Sequence, residues 1–352
     1  MTQRSILAAC YCMVGLASTA AIPLQAHAQA LTPITISYQP TNYWALPFYV
    51  ATKKGWWKDV GLEPKYVMFP AGVPQVAAAA AGSWDVGATG SVPAVIGAVR
   101  FNIITIGIDN DESATNALLV GAKSYGAFKA DPKKIAGQRI LLTTNSTVDY
   151  AVRSCLDRMK VDTKSVQLVN LGQAPIVTAL ISGQTELGGL WAPNIYSVEE
   201  KAGAKVLCSG KTAGVTIPGV LITRSDYAKQ HPKAVAAFLA VYVHAWQWAK
   251  AHPEEATKML QAADVEGGVP LSDFGAKEEF KRPTYSLSEE LELMKSTNGA
   301  SKLATWMDDI GAFLVKSGTI PKTPDAKSYI TDTYMKLVDS DPKLKAFANG
   351  SN

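Results

Sequence analysis

The amino-acid sequence predicts an α/β fold of two similar lobes, each a mostly parallel sheet flanked by helices, with a helical C-terminal tail. Short apolar strands alternate with helices over 34–110, and the alternation restarts over 116–210. Each stretch contains the motif Gly-x-x-acid-aliphatic-Gly, which is GSWDVG at 82–87 and GQTELG at 183–188. Because both copies end a helix and begin a buried strand, they indicate the same joint in two related units.

The first lobe is predicted from strands and helices that follow one another in order. The segment ITISYQ alternates apolar and polar residues and stops at Pro40, which is typical of a strand that opens into a loop. The next segment has apolar residues at helical spacing and ends at Gly61, a residue that tolerates the conformation of a helix terminus. The predicted strands lie at 34–39, 63–69, 85–89 and 102–108, and the predicted helices at 45–62, 73–82 and 92–100.

The second lobe repeats this order, and the remainder of the chain is mostly helical from Pro232 onward. The predicted strands of lobe two lie at 116–122, 138–144, 165–171, 186–191 and 205–209, and its predicted helices at 146–160, 174–183 and 194–203.

The first 28 residues are predicted to be a secretory signal peptide. A short basic segment precedes an apolar stretch, and Ala-His-Ala at 26–28 is typical of a cleavage site. A membrane anchor is the alternative, but Tyr11 and two cysteines shorten the apolar run. The segment LAAC also resembles a bacterial lipobox, which leaves lipidation of Cys10 as an alternative. We expect an exported protein.

Composition and motifs exclude several function classes. The formal charge of +4 falls to +3 when Arg4 leaves with the signal, which is too little for a nucleic-acid-binding surface. The sequence lacks the common hydrolase, metalloprotease and phosphate-loop motifs, so we expect neither an enzyme nor a cofactor or metal site. Cys155 and Cys208 remain in the mature chain. Export permits a disulfide between them, although we expect two separate core thiols.

The predicted binding cleft lies where strands end, because ligands of open α/β sheets bind at the carboxyl ends of strands. Gly90 allows a close approach of the backbone, and Ser91 begins a helix. Ser146 and Thr147 begin the corresponding helix of the second lobe. Amides and hydroxyls at helix N-termini bind anionic or polar groups, whereas ordinary helix capping is the alternative role for the same residues.

Further candidates flank this cleft. Gln39, Asn42 and Trp44 follow the first strand and offer amides and an aromatic ring to a flat solute, although a loop tryptophan is also common in packing. Trp191 ends a strand at the opposite rim and is the candidate second wall. Asp109 belongs to an acidic run that we interpret as a solvated hinge face, with a contact to the ligand as the alternative.

The motifs ISYQPTNYW, VMFPAG, GSWDVGATGSVPAV, NSTVDYAVRSCL and LWAPNIYSVEE stand in one order along the chain. In that order they resemble the periplasmic substrate-binding proteins of nitrate, sulfonate and taurine ABC importers, over about 31–340. The resemblance implies a type II periplasmic-binding-protein fold in a protein exported to the periplasm. For this fold we predict lobe one from 31–112 and 215–352 and lobe two from 113–214, with hinge closure across the two connecting segments. It also implies a monomeric receptor that closes on a small-molecule solute and hands it to the permease of an inner-membrane importer.

In this family, stretches that match these motifs line the ligand pocket, which favours ligand binding over capping or packing. The candidate ligand-binding residues are Gln39, Asn42, Trp44, Gly90, Ser91, Asp109, Ser146, Thr147 and Trp191.

Two departures from the family pattern bear on the solute. Relatives frequently carry an acid where this chain has Ser91 and Ala192, so a carboxylate for an ammonium group is missing unless Asp109 supplies it. The sequence places no arginine or lysine in the pocket. We therefore expect a small sulfonate or related organic acid with a flat body rather than taurine, with nitrate as an alternative.

Two other function classes stay open. A related branch of the family consists of pyrimidine-synthesising enzymes, but its cysteine cluster is absent here and the signal peptide disfavours it. The second class is a ligand-sensing protein that uses the same closure to bind another protein.

Overall fold

Two five-stranded sheets organise the fold in the computed structural model. The structure describes Met1 and residues 30–40, 42–268, 270–296 and 299–350, and only the backbone of Asn42 and Tyr43. The predicted signal peptide therefore lies, apart from Met1, outside the described residues. The chain divides into the units Met1–Ala30 and Leu31–Asn352, and the description that follows concerns the second.

The strands of the described chain are short and mostly buried, as expected for strands covered on both faces by helices. They are β1 (Thr32–Tyr38), β2 (Leu62–Met68), β3 (Val86–Gly90), β4 (Ile103–Asp111), β5 (Asn116–Val120), β6 (Arg139–Leu142), β7 (Gln167–Asn170), β8 (Leu187–Trp191), β9 (Lys205–Ser209) and β10 (Pro218–Arg224).

Both sheets have the same pattern of directions. The first has the order β2-β1-β3-β10-β4 and the second the order β7-β6-β8-β5-β9. In the first sheet β10 is antiparallel to both its neighbours, and in the second sheet β5 is antiparallel to both of its own. In each sheet four of the five strands thus run in one direction, and the remaining strand, β10 or β5, runs in the opposite direction. This confirms the predicted mostly parallel sheets.

Helices cover both sheets and make up most of the chain after β10. In order they are α1 (Asn42–Lys54), α2 (Trp56–Asp59), α3 (Gly72–Ala78), α4 (Ser91–Phe101), α5 (Tyr125–Ala130), α6 (Thr147–Arg158), α7 (Gln173–Ile181), α8 (Asn194–Ala202), α9 (Gly210–Ala213), α10 (Ser225–Gln230), α11 (Pro232–Ala251), α12 (Pro253–Glu266), α13 (Asp273–Glu279), α14 (Leu287–Met294), α15 (Lys302–Lys316), α16 (Thr333–Ser340) and α17 (Pro342–Ala348). The helical C-terminal tail is confirmed. No helix of the described residues has both the length and the apolarity that crossing a membrane requires.

The repeated glycine motif marks the same joint in both sheets. Gly82 ends the first copy's helix with φ 64°, and Gly183 ends the second copy's helix with φ 71°. Glycine adopts this left-handed conformation without the steric cost of a side chain. The strands that follow, β3 and β8, occupy the same third place in the order of their sheets.

The sequence-based prediction of a single helix over 45–62 was wrong at both ends. The structure begins α1 at Asn42, so Trp44 belongs to a helix and not to a loop. Gly55, with φ 78°, interrupts the helix before α2, and β2 already begins at Leu62.

The expectation of two separate thiols was also wrong. Cys155 of α6 and Cys208 of β9 form a disulfide, with their Cα atoms 5.8 Å apart. The two residues are far apart along the chain, and they meet because α6 packs over the sheet strand that carries Cys208. The boundaries that we assign to the two lobes remain a prediction, although β10 returns to the first sheet after the second sheet is complete.

Candidate functional site

Gln39, the first residue after β1, points into the first sheet's polar interior. It is 4% exposed, and its Nε2 donates to Gln75 Oε1 at 2.7 Å and to Thr89 Oγ1 at 2.9 Å. Gln75 in turn donates to Ser37 Oγ at 2.9 Å. These bonds hold the end of β1 against the end of β3 and place Gln39 next to the predicted rim.

The aromatic candidate beside it has a different environment. Trp44 is 6% exposed and belongs to the hydrophobic core between the first sheet and α11. Its Nε1 atom is buried with no hydrogen-bond partner among the described residues. The side chain of Asn42 lies outside what the structure describes, so the prediction for that residue has no structural counterpart here.

The N-termini of two helices meet at Gly90 and Thr147. Gly90 precedes α4, and Thr147 is the first residue of α6. A Cβ atom built on Gly90 would lie 2.6 Å from Cγ2 of Thr147, so the glycine backbone and the threonine methyl group are in direct contact. The glycine predicted to allow close approach does so, and its neighbour is the candidate residue of the other sheet.

The serines that begin these helices do not cap them. Ser91 is fully buried, and its Oγ has no hydrogen-bond partner within the described part of the chain. Ser146 donates its hydroxyl to the Thr143 carbonyl at 2.7 Å and makes no side-chain cap. Ordinary capping therefore does not account for either hydroxyl.

A chain of hydrogen bonds leads from Thr147 to the segment that joins the two sheets. Thr147 Oγ1 donates to Asn116 Oδ1 at 2.9 Å, and Asn116 Nδ2 donates to Glu112 Oε2 at 3.0 Å. Trp191 pairs with Asn116 across the β5–β8 ladder, which brings its backbone to the same rim. The Trp191 side chain is partly exposed and packs against the core under α6.

We predicted that the acidic run between the sheets is a solvated face. The prediction was wrong, because the run forms a buried polar cluster. Asp109 is 1% exposed and accepts hydrogen bonds from the Tyr242 hydroxyl, from Trp246 Nε1 at 3.3 Å and from Asn110 Nδ2. Burial raises the pKa of Asp109 to about 7. Burial also raises the pKa of Glu112 to about 7, although the nearby Arg282 guanidinium lowers it.

These polar groups leave no room for a side chain on the neighbouring strand. A Cβ atom on Gly219 of β10 would lie 2.7 Å from Asn110 Nδ2, 2.9 Å from Glu112 Oε1 and 3.3 Å from Asp109 Oδ2. Gly219 is the register partner of Gly90 in the β10–β3 pair, so this polar cluster lies beside the strand end that reaches Thr147.

Sequence reasoning missed a buried arginine near the segment that joins the two sheets. The Arg282 side chain is 6% exposed, and its Nη2 lies 2.7 Å from both carboxylate oxygens of Glu279. Its Nη1 donates to Asn110 Oδ1 at 3.4 Å. Glu279 also makes a hydrogen bond with the Tyr196 side chain of α8, so this ion pair links a helix of the second sheet to β4. Nothing local in the sequence singles Arg282 out.

The arrangement is suited to holding a polar head group. Two helix N-termini, with their partial positive charge, meet beside hydroxyl groups, and an anion is favoured at such a place. Within the described residues no three histidine, cysteine, aspartate or glutamate side chains form a group that could hold a metal ion.

Comparison with known proteins agrees with this architecture. The taurine-binding periplasmic protein of Escherichia coli strain K12 is 27% identical over 335 residues, which cover 91% of this chain and 97% of that protein. The periplasmic aliphatic sulphonate-binding protein SsuA from Escherichia coli has a TM-score of 0.71 at 18% identity, covering 85% of this chain and 92% of that one. The alkanesulfonate-binding protein SsuA from Xanthomonas axonopodis pv. citri, bound to MOPS, has a TM-score of 0.69 at 18% identity, covering 86% and 99%.

These likenesses confirm the predicted fold class, which the periplasmic-binding-protein structures share with this chain. The family described as NMT1/THI5 like matches residues 42–256, which is more than half of the sequence. The resemblance to periplasmic sulfonate- and taurine-binding proteins, first drawn from the order of motifs, is confirmed as well. The chain belongs to the NMT1/THI5-like family.

Proposed function

We propose that the protein is a periplasmic receptor for a small organic acid, a sulfonate or a related anion, which it captures between two lobes and delivers to an ABC importer. The observation that carries this proposal is the meeting of the α4 and α6 N-termini at Gly90 and Thr147. Relatives named for binding sulfonates or taurine support the same ligand class.

The chemistry of this contact favours an anion. Each helix N-terminus carries about half a positive charge and several backbone N–H groups without helical partners. The Ser91 hydroxyl is buried without a partner among the described residues and is available as a donor to a ligand oxygen. A sulfonate offers three acceptor oxygens to such donors, and nitrate would leave the partly exposed Trp191 ring without a flat or apolar body to pack against.

Capture requires motion, because Gly90 and Thr147 touch and leave no space for a solute between them. We propose that lobe one (31–112 and 215–352) and lobe two (113–214) open about the two connecting segments and close again on the ligand. The buried cluster of Glu112 and Asn116 lies on one of these segments and would keep the hinge in one closed geometry.

Calorimetry against benzenesulfonate, alkanesulfonates, taurine, nitrate, benzoate and hydroxypyrimidines tests the ligand class. We expect benzenesulfonate to bind more tightly than taurine, because Ser91 and Ala192 provide no carboxylate for the taurine ammonium group. Tighter binding of taurine would refute the argument from these two positions, and binding of hydroxypyrimidines alone would refute the sulfonate class.

A matched pair of variants tests the site. Thr147→Val keeps the shape of the side chain and removes the hydroxyl, so it should weaken sulfonate binding by about 0.5–1.5 kcal/mol. Thr178→Val on the exposed face of α7 is the control and should leave binding unchanged. Equal affinities of the two variants would remove Thr147 from the binding site.

The remaining parts of the proposal concern the state of the protein in the cell. We propose that residues 1–28 are removed on export and that the mature chain is a monomeric binding protein rather than an enzyme, without affinity for nucleic acid. Mass spectrometry of the periplasmic protein should find an N-terminus at or near Gln29, whereas a lipid on Cys10 would indicate a tethered receptor. Light scattering after gel filtration should give the mass of one chain.

A further inference from the structure

A cavity of about 330 Å³ lies on the first sheet's side of the molecule, between α1, the edge strand β2 and α12. Its described lining comes from residues 38–68 and 263–267 and includes none from 113–214. It is therefore distinct from the contact between Gly90 and Thr147. Its volume lies at the lower end of the range of about 300–1,000 Å³ found for small-molecule sites.

Aromatic rings form the walls of this cavity. The Tyr38 and Phe48 ring centroids lie 6.0 Å apart, and the Tyr66 ring lies 6.3 Å from Tyr38 and 6.1 Å from Phe48. Phe48 is 3% exposed, and a hydrogen bond of 2.7 Å joins the Tyr66 and Thr52 hydroxyls, so these walls are held in place. Such rings favour an apolar or aromatic body and attract a cation over their faces.

Two acidic residues line the cavity and bear on the charge of a ligand that could bind there. Asp264 of α12 lines the cavity and is only 4% exposed. Glu266 lines it as well, but it accepts a hydrogen bond from the Tyr49 hydroxyl at 3.3 Å and lies 4.0 Å from Lys53 Nζ. The lysine offsets the charge of Glu266, and Asp264 contributes a buried carboxyl group to the inner wall.

An anion is disfavoured in this cavity because it would meet the negative faces of the rings and the carboxyl group of Asp264. An ammonium ion is favoured there for the same reasons. Burial and, to a lesser extent, the nearby Glu279 raise the pKa of Asp264 to about 8, so its carboxyl group holds a proton over much of the neutral range. An ammonium group that binds there displaces this proton and pairs with the ionised carboxylate.

We propose that this cavity is a second binding site, which takes a small organic ammonium ion with an aromatic or apolar body. The aromatic walls hold the body, and Asp264 accepts a hydrogen bond from the ammonium group. The ligand has the opposite charge to the solute proposed for the contact between Gly90 and Thr147, so the two sites select different molecules.

Phenethylamine and 3-phenylpropionate are suitable probes, because they share a phenylethyl body and carry opposite charges. We expect phenethylamine to bind the purified protein with one-to-one stoichiometry in calorimetry, and 3-phenylpropionate to displace it at least about tenfold more weakly than unlabelled phenethylamine does. Absence of saturable phenethylamine binding, or equal potency of the two probes in displacement, would overturn the proposal.

Variants locate the binding. Asp264→Asn keeps the size of the side chain and removes its charge, so it should weaken phenethylamine binding at least about tenfold. Ala45→Phe fills the cavity from α1 and should abolish binding, which provides a second test if the Asp264 variant does not fold. Glu255→Gln, an exposed position of the same helix outside the cavity, is the control and should bind as the unchanged protein does. Unchanged affinity in both cavity variants would refute the site.

Competition separates this proposal from the proposed function. Saturating benzenesulfonate should leave the phenethylamine titration unchanged if there are two sites. Direct competition between the two would show one shared site and overturn the second. Failure of benzenesulfonate to bind would contradict the sulfonate receptor and leave the phenethylamine result as an independent test of the cavity.

Discussion

Reduction of the disulfide between Cys155 and Cys208 should lower the free energy of unfolding by about 4 kcal/mol. The bridge joins α6 to β9 across a sequence separation of 53, and the enclosed chain includes β7, α7, β8 and α8. Cross-linking residues this far apart removes about 14 cal/mol/K of entropy from the unfolded chain, which corresponds to about 4 kcal/mol at room temperature.

The assay compares the same protein with and without the bridge. Because Cys155 is completely buried, the disulfide is reduced in denaturant and the protein is refolded under reductant before urea unfolding. The two forms then differ only in the sulfur–sulfur bond. A Cys155→Ala, Cys208→Ala double variant is the control, and reductant should not change its stability.

Two results would refute this reasoning. The first is a difference in stability below about 1 kcal/mol, which is no more than an average point substitution causes. The second is the detection of two free thiols in the untreated mature protein after unfolding without reductant. The loss of stability should appear in the amide protons of the second sheet, because the enclosed segment contains its strands β7 and β8.

Three further predictions concern the site and the hinge. Gly90→Ala places a methyl group 2.6 Å from Thr147 Cγ2, so urea unfolding should show that the free energy of unfolding falls by about 1–3 kcal/mol. Adding Thr147→Ser removes that methyl contact and should recover part of the loss. If it recovers none, the cost does not arise from this contact. Trp191→Ala should weaken binding of an aromatic sulfonate by about 1–3 kcal/mol in calorimetry, and unchanged affinity would remove Trp191 from the site. Asp109 has a pKa raised from 3.8 to about 7 in the folded protein, so its contribution to stability is fully present below its unfolded pKa and is lost as the pH rises through about 7. Thermal melting at several pH values should therefore show Asp109→Asn losing less stability than the unchanged protein between about pH 4 and 8, and parallel profiles would contradict the assignment.

Much of the fold was predictable from the sequence, because the relevant signals are local. The periodicity of apolar residues is a property of neighbouring positions and predicts most of the strands and helices. Gly82 and Gly183 mark equivalent joints because each ends a helix in a conformation that glycine adopts readily. The order of such motifs also sufficed to indicate the family.

The environment of the candidate residues was only partly predictable. Gly90 and Thr147 were both selected from the sequence, and the structure brings them into contact. Trp44 was selected as a cleft residue but lies in the core, because α1 begins earlier than the pattern indicated and turns this ring inward. Asp109 was expected to be solvated, and its burial depends on Tyr242, which lies 133 positions away.

The tertiary structure decided which distant polar groups meet. Arg282 reaches Asn110 across 172 positions of sequence, and the disulfide joins α6 to β9. No spacing in the chain encodes these pairs, because each depends on how whole elements pack after long segments have closed. Local periodicity determines which face of an element is buried, whereas the packing of sheets and helices determines which polar side chains are buried together and so need one another as partners.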